Sequence, residues 1–199
     1  SAAGEGVGVL YWKDRFELVS KDFFWLDQST RSLPEKNSDG TYGAWNSACR
    51  RITLCVVLKD KKHGNALIYF FPTHYDHKST TARKNSADLM VTQMKSITKA
   101  TDLKNAGVVM FHVGDLNTQS DNAQLQSLND NLYYARLTAP GTDKYTGTFN
   151  GFGDSNSIID HIYYGGKAVK LVKYWVDRTN YGVPFLSDHY PVLLQWEYQ

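Results

Sequence analysis

The sequence predicts a mixed α/β sandwich whose sheets are mostly antiparallel, and three observations point there. Eight short runs rich in β-branched and aromatic residues are bounded by turn-forming residues. One long segment between the fourth and fifth runs carries apolar residues at helical spacing. Strand-turn-strand passages imply antiparallel pairing, whereas the strand-helix-strand passage implies a crossover.

Taken in order, Val7–Trp12 and Phe16–Val19 flank "KDR" and predict a first hairpin. Ile52–Leu58 and Ala66–Phe71 lie either side of "KDKKHGN" and predict a second. Between the hairpins, "STRSLPEKNSDGTYGAW" is a long polar loop placed to line a site. In "TTARKNSADLMVTQMKSITKA", Ala87, Met90, Met94 and Ile97 recur on one helical face, predicting a helix from about Thr81 to Ala100. Val108–Val113 is the fifth strand and a shorter helix begins near Ser120. Ser157–Tyr164, Ala168–Val176 and Tyr190–Gln195 complete the set.

At 199 residues and 42% hydrophobic, residues 1–199 can bury one large core as a single soluble domain. No apolar stretch reaches the ~18 residues of a membrane helix, and no basic segment followed by an apolar one marks a signal peptide. The compartment is therefore left open. A net charge of +2 and a pI near 8.4 fall short of the basic imbalance of a dedicated nucleic-acid binder. If Cys49 and Cys55 share one strand they stand roughly 20 Å apart at ~3.3 Å per residue, too far for a disulfide, so both read as free, buried thiols.

Four motifs carry chemistry. "FPTHYDH" puts His74 and His77 just past an apolar strand with Asp76 between them. It overlaps a His-rich zinc pattern, but Pro72 occupies the place of the first ligand and argues against zinc. "GDLN" closes the fifth strand. Alternation of side chains there sends Asp115 and Asn117 to one side and Leu116 back to the core, although the same residues serve ordinary turns. "NSIIDHIYYGG" interrupts an apolar strand with Asp160, a carboxylate costly to bury unless paired. His161 points to the other face, as a packed or surface histidine. "FLSDHYPVLLQW" sets Asp188 and His189 immediately before the last strand.

In this order, Thr-His, Gly-Asp-X-Asn, Ile-Asp-His-Ile and Ser-Asp-His-Tyr-Pro-Val resemble the endonuclease/exonuclease/phosphatase family, which is deoxyribonuclease I-like, from about Glu5 to Gln199. The resemblance implies a four-layer α/β/β/α sandwich and a metal-dependent hydrolase of phosphodiesters or phosphomonoesters. By it, His74 contacts the scissile phosphate and Glu5 hydrogen-bonds that histidine. Asp115 and Asn117 position the attacking water and a phosphate oxygen. Asp160 pairs with His189 as a dyad, and Asp188 is a metal ligand with Asp115 beside it. Arg51 matches a phosphate-contacting arginine of some members, with Arg50 an equal candidate.

These residue types suit the chemistry. Phosphoester hydrolysis needs a positioned water, neutralised nonbridging oxygens and help for the departing alkoxide. Oxygen ligands suit Mg²⁺ or Mn²⁺. An Asp-His pair supplies a base or a cation, because the carboxylate fixes the tautomer and raises proton affinity. Members of the family also begin with a strand bearing an asparagine and a segment bearing the principal metal-ligand glutamate. The expectation is that residues 1–199 enter the fold partway, around Val7, as about the C-terminal two-thirds of the domain. A second reading follows, of a non-catalytic fragment or phosphate-ligand-binding domain. The substrate class stays open among nucleic acid, phospholipid head group and small phosphodiester, as does oligomeric state. Trp45, Tyr42, Tyr145, Phe149, Phe152 and Tyr181, in loop-like stretches, are candidates to stack on bases or sugars.

Overall fold

The computed structural model describes residues 6–142 and 144–199. Six strands form one mixed sheet in the order β1-β2-β3-β4-β6-β5: β1 (Phe16–Trp25), β2 (Ile52–Asp60), β3 (Ala66–His74), β4 (Val109–Asp115), β5 (Tyr133–Tyr134) and β6 (Asp160–Gly165). β7 (Val169–Val176) and β8 (Val192–Tyr198) form a second, antiparallel sheet. The pairing of β3 with β4 is parallel and the other pairings are antiparallel. The crossover between them is α1 (Thr80–Thr98), as the strand-helix-strand reading requires. No helix among the described residues is long and apolar enough to cross a membrane.

Alternation along the central strands builds two cores. Phe71, Met110 and Tyr163 face α1 and α2 (Gln126–Asn131), where they meet Ala87, Met90, Met94 and Leu128. Their neighbours Ile68, Phe111, Ile162 and Tyr164 face the other way, onto Leu171, Tyr174 and Trp196 of the second sheet. The central strands thus read as near-continuous apolar runs because both faces are covered. A short helix, α3 (Ala135–Thr138), contacts β6 and β7.

Helix α1 starts where Ser79 accepts a hydrogen bond from the Ala82 amide at 3.1 Å, an N-cap that satisfies an otherwise orphaned donor. The helix ends at Lys99, which adopts a left-handed conformation with φ 59°. The two sheets are tied near their far end by Asp60, fully buried. It accepts bonds from Arg15 (2.7 Å), from the Tyr198 hydroxyl (3.2 Å) and from the Lys62 amide (3.0 Å).

Three expectations need correction. Val7–Trp12 forms no strand: the described residues 6–12 lack regular structure, and Leu10 and Trp12 are exposed. A strand is defined by its ladder partner, and β1, at the edge of its sheet, pairs with β2 and with no other described strand. Trp12 instead accepts the Arg15 and Phe16 amides in a turn, so the first expected hairpin is absent. Cys49 is exposed, because it lies in the loop ahead of β2; Cys55 alone is buried, and burial raises its thiol to about 11. The pair β5 and α3, each very short, has no counterpart in the sequence reading.

Gly114 shows how tightly the β3–β4 seam is built. Its φ is +142°, and a Cβ there would lie 1.9 Å from the Thr73 carbonyl oxygen. Gly114→Ala is therefore expected to destabilise the fold by about 2–4 kcal/mol, read as a lower midpoint of chemical denaturation.

Candidate active site

The site is assembled by strand register. β3 and β4 pair His74 with Asp115, and β4 and β6 pair Asp115 with Asp160, so three of the candidate side chains stand in a row at one end of three adjacent strands. Strands lie ~4.8 Å apart, which places neighbours in that row within contact. His74 Nε2 is 3.3 Å from Asp115 Oδ2. His189 closes the row from the loop before β8, its Nδ1 donating to Asp160 Oδ2 at 2.7 Å and its Nε2 lying 3.9 Å from Asp115 Oδ2. The Gly-Asp-Leu-Asn and Ser-Asp-His corners thus meet although 74 residues separate Asp115 from His189 in the chain (189 − 115).

The electrostatics follow from these bonds. Because a carboxylate only accepts, His189 carries its proton on Nδ1, and the Asp160 hydrogen bond raises the imidazole above its usual value against a smaller burial penalty. Its Nε2 faces the cluster. Asp115 Oδ1 accepts the Asn117 amide at 2.7 Å, the Asx turn that the sequence allowed. Asn117 sits at φ 51° and donates from its side chain to the Tyr75 carbonyl at 3.0 Å. An amide nitrogen carries two donors, so one bond of this kind still leaves Asn117 a second N–H. Turn chemistry and site geometry therefore coexist.

The supporting layer escaped the sequence reading. The buried Thr148 hydroxyl accepts the Ile159 and Asp160 amides at 3.1 and 2.9 Å, fixing the entry to β6. Asn150, 2% exposed, donates to the Ser187 carbonyl at 3.1 Å, and its backbone amide donates to that of Asp188 at 2.7 Å. It therefore holds the loop that carries His189. The Phe149 ring lies 4.9 Å from the His189 ring. His161 does turn to the opposite face and is buried. Its Nε2 donates to the Thr118 carbonyl and its Nδ1 accepts from the Tyr134 hydroxyl, both at 2.8 Å. It thus braces the segment that follows Asn117. The signal in the sequence was "TFNGFG", where an Asn-Gly turn precedes Asp160 by ten residues (160 − 150).

The remaining candidates spread around this row. Asp188 is partly exposed at the mouth, with Oδ1 accepting from the Ser187 hydroxyl at 3.2 Å. Arg51 is buried and its Nη2 is 3.3 Å from His77 Nδ1, while Arg50 donates to the Pro34 carbonyl and lies over the Tyr42 ring. Asp76 accepts the amides of Cys49, Lys78 and Ser79; these bonds outweigh its desolvation and hold the carboxyl below its ordinary value. It is a loop anchor at the start of α1, which leaves the His-rich motif divided between separate tasks. Glu5 lies outside the described residues.

Among the described residues no group of three His, Cys, Asp or Glu side chains is arranged to hold a metal ion. The donors at the mouth are nonetheless of the right kind. Mg²⁺ keeps several waters and binds through one or two carboxylates; Asp115 lies in the row and Asp188 precedes His189 in the chain.

Comparison with known proteins bears on the fold. No family model and no curated protein matches the sequence. Among solved structures, an endonuclease/exonuclease/phosphatase from Bacteroides vulgatus is 26% identical with a TM-score of 0.76, covering 95% of this chain and 69% of its own. A mannosyl-6-phosphatase from Bacteroides thetaiotaomicron is also 26% identical, with a TM-score of 0.78 over 94% of this chain and 68% of its own. The human Nocturnin catalytic domain shares the fold at 16% identity, with a TM-score of 0.66 over 95% of this chain and 62% of its own. The chain has the fold of the endonuclease/exonuclease/phosphatase family.

Two buried histidines beneath the site set an acid limit on stability. Desolvation lowers both His112 and His161 to about 4 from the usual 6.5. The unfolded chain therefore binds more protons between these values. Stability from the neutral rings is complete above pH ~6.5 and is lost as pH falls towards 4, by on the order of a few kcal/mol. His189 acts in the opposite sense: its raised value adds stability below the ordinary imidazole range that is lost as pH rises through the folded value. Urea unfolding across pH 4–8 is expected to show the acid loss, and His112→Gln to reduce it.

Proposed function

We propose that the protein is a hydrolase of phosphoesters in which His74, Asp115, Asn117, Asp160 and His189 act on one phosphoryl group. The observation that carries this is the convergence of two imidazoles on Asp115 Oδ2, at 3.3 and 3.9 Å, with Asp160 bonded behind one of them at 2.7 Å. Similarity to a phosphatase at 26% identity over 94% of the chain supports the same class.

In this reading Asp160 keeps His189 as the Nδ1–H form and favours the imidazolium. The Nε2–H then meets charge on the nonbridging oxygens as it builds in the transition state. Asp115 orients the attacking water by accepting its hydrogen, with its own orientation fixed by the Asn117 amide. Asn117 and His74 hold phosphoryl oxygens, and Glu5 and Arg51 are assigned supporting contacts to His74 and to phosphate. Mg²⁺ or Mn²⁺ is proposed as the cofactor, with Asp188 and Asp115 as the residues that would hold it; when bound, it would neutralise further phosphoryl charge.

The alternative, a phosphate-ligand-binding domain without turnover, draws on the lack of a three-donor group among the described residues. Assays on a bis-aryl phosphodiester and an aryl phosphomonoester separate the two readings. Turnover abolished by EDTA and restored by Mg²⁺ supports the hydrolase, while phosphate binding without turnover supports the alternative. Within the hydrolase, His189→Ala is expected to lower kcat by about 10²–10⁴-fold. The alkaline limb of the kcat profile is expected above pH 6.5, because the reactive form is protonated, and Asp160→Asn should move it downward. Retention of activity within a few-fold in His189→Ala would overturn the assignment.

A further inference from the structure

The second sheet has two strands where the first has six, so β7 and β8 cover only part of the face they pack on. Between the sheets lies a cavity of about 400 Å³, with Phe70, Phe111 and Val113 on one wall and Val192, Leu194 and Trp196 on the other. Its walls draw on β8 and not on β7, which places it at the open side of β8. Pairing of Val56 with Phe70 carries the same face on to β2, where Phe23, Leu54 and Val56 border a second cleft of about 460 Å³. Protein interiors pack to crystal-like density, with few voids larger than a water molecule. Two gaps of this size on one apolar face are out of keeping with a finished layer.

The strand edges differ in how they meet solvent. Opposite β2, β1 takes one extra residue, Val19, between Leu18 and Ser20; opposite β8, β7 takes Val172 between Leu171 and Lys173. Bulges of this kind turn an edge away from new partners. The outer strand β5 has only two residues. Among the described edges β8 alone is long and regular, seven residues from Val192 to Tyr198 with no bulge, no Lys and no Pro. Such an edge is a template for another strand, and a small molecule in the cavity could not pair with its row of N–H and C=O groups.

We infer that the free edge of β8 seats one further β-strand, supplied by the same protein from outside residues 1–199, whose alternate apolar side chains fill the cavity. The source is argued from length: the two Bacteroides structures match 95% and 94% of this chain and leave 31% and 32% of their own unmatched (100 − 69 and 100 − 68). Strand addition takes its affinity from the main chain and its specificity from alternate side-chain pockets. Here the walls are Phe70, Phe111 and Trp196, so the incoming segment carries apolar residues at every second position. The cavity also reaches Gly114, Asp160 and Tyr190. The added strand therefore passes beside the candidate row and steadies the junction between His189 and β8. The inference stands apart from the phosphoesterase reading, since it requires no turnover.

Amide hydrogen exchange on the polypeptide encoded by the complete reading frame tests it. At a sheet edge, alternate amides of an antiparallel strand point to solvent and exchange fast, whereas a strand with two neighbours has all of them paired. The expected result is protection at every amide from Leu193 to Tyr198, with the alternate ones slowed about tenfold or more relative to residues 1–199. Alternate β8 amides that stay fast in the longer polypeptide overturn the inference, as does a reading frame that ends at these residues. Protection that appears in residues 1–199 alone and rises with concentration would assign the edge to a second copy and overturn it as well. Turnover of phosphoesters by either polypeptide decides the phosphoesterase reading and leaves this outcome unchanged.

Discussion

The arrangement depends on one constraint: the register between β3, β4 and β6. In-register pairing of His74 with Asp115 and of Asp115 with Asp160 turns three distant stretches of chain into one row of polar groups. A one-residue slip in any of these strands would turn the side chain to the other face, into the apolar cores that flank the sheet. Those cores are what make a slip costly. Phe71, Met110 and Tyr163 on one face and Ile68, Phe111 and Ile162 on the other lock the same three strands. Core packing and site geometry are therefore two consequences of one alignment, and the close approach of Gly114 to Thr73 lies on the seam between them.

Around this row a buried layer acts through the backbone. Thr148, Asn150 and His161 each make a hydrogen bond to a main-chain group of Asp160 or of a residue beside His189 or Asn117. Groups held in this way lose little further freedom when a substrate arrives, which is the physical content of preorganisation. The arrangement also carries electrostatic consequences. His189 is drawn towards its charged form by Asp160, whereas His161, one residue beyond Asp160 on the strand, is driven to its neutral form by burial. A carboxylate partner sets the one ring and burial the other.

Much of this was legible in the sequence. The cores of β2, β3, β4, β7 and α1 were visible because long apolar runs with turn residues at both ends carry their own signal. The motif residues of the row were legible through their order along the chain. Val7–Trp12 misled, because alternating β-branched and aromatic residues record fitness for a strand but not the presence of a partner. Cys49 misled because it was read together with Cys55 as part of a strand that begins only at Ile52, three residues later (52 − 49). The bracing residues were hidden for another reason. A buried Asn or Thr that binds a distant carbonyl or amide leaves no periodicity, and these partners lie 11 to 37 residues away. The left-handed backbone of Phe152, at φ 57°, is likewise something a sequence of Asn, Gly and Phe allows but does not demand.

The central claim is that two imidazoles, the Asp115 carboxylate and one carboxamide converge on a single phosphoryl group, with Asp160 behind His189. A high-resolution crystal structure with bound orthovanadate tests it most directly. The account requires the oxyanion within about 2.7–3.2 Å of His189 Nε2, His74 Nε2 and the Asn117 side chain, with His189 Nδ1 still bonded to Asp160. An oxyanion bound away from this row, or His189 turned from Asp160 in its presence, would contradict it.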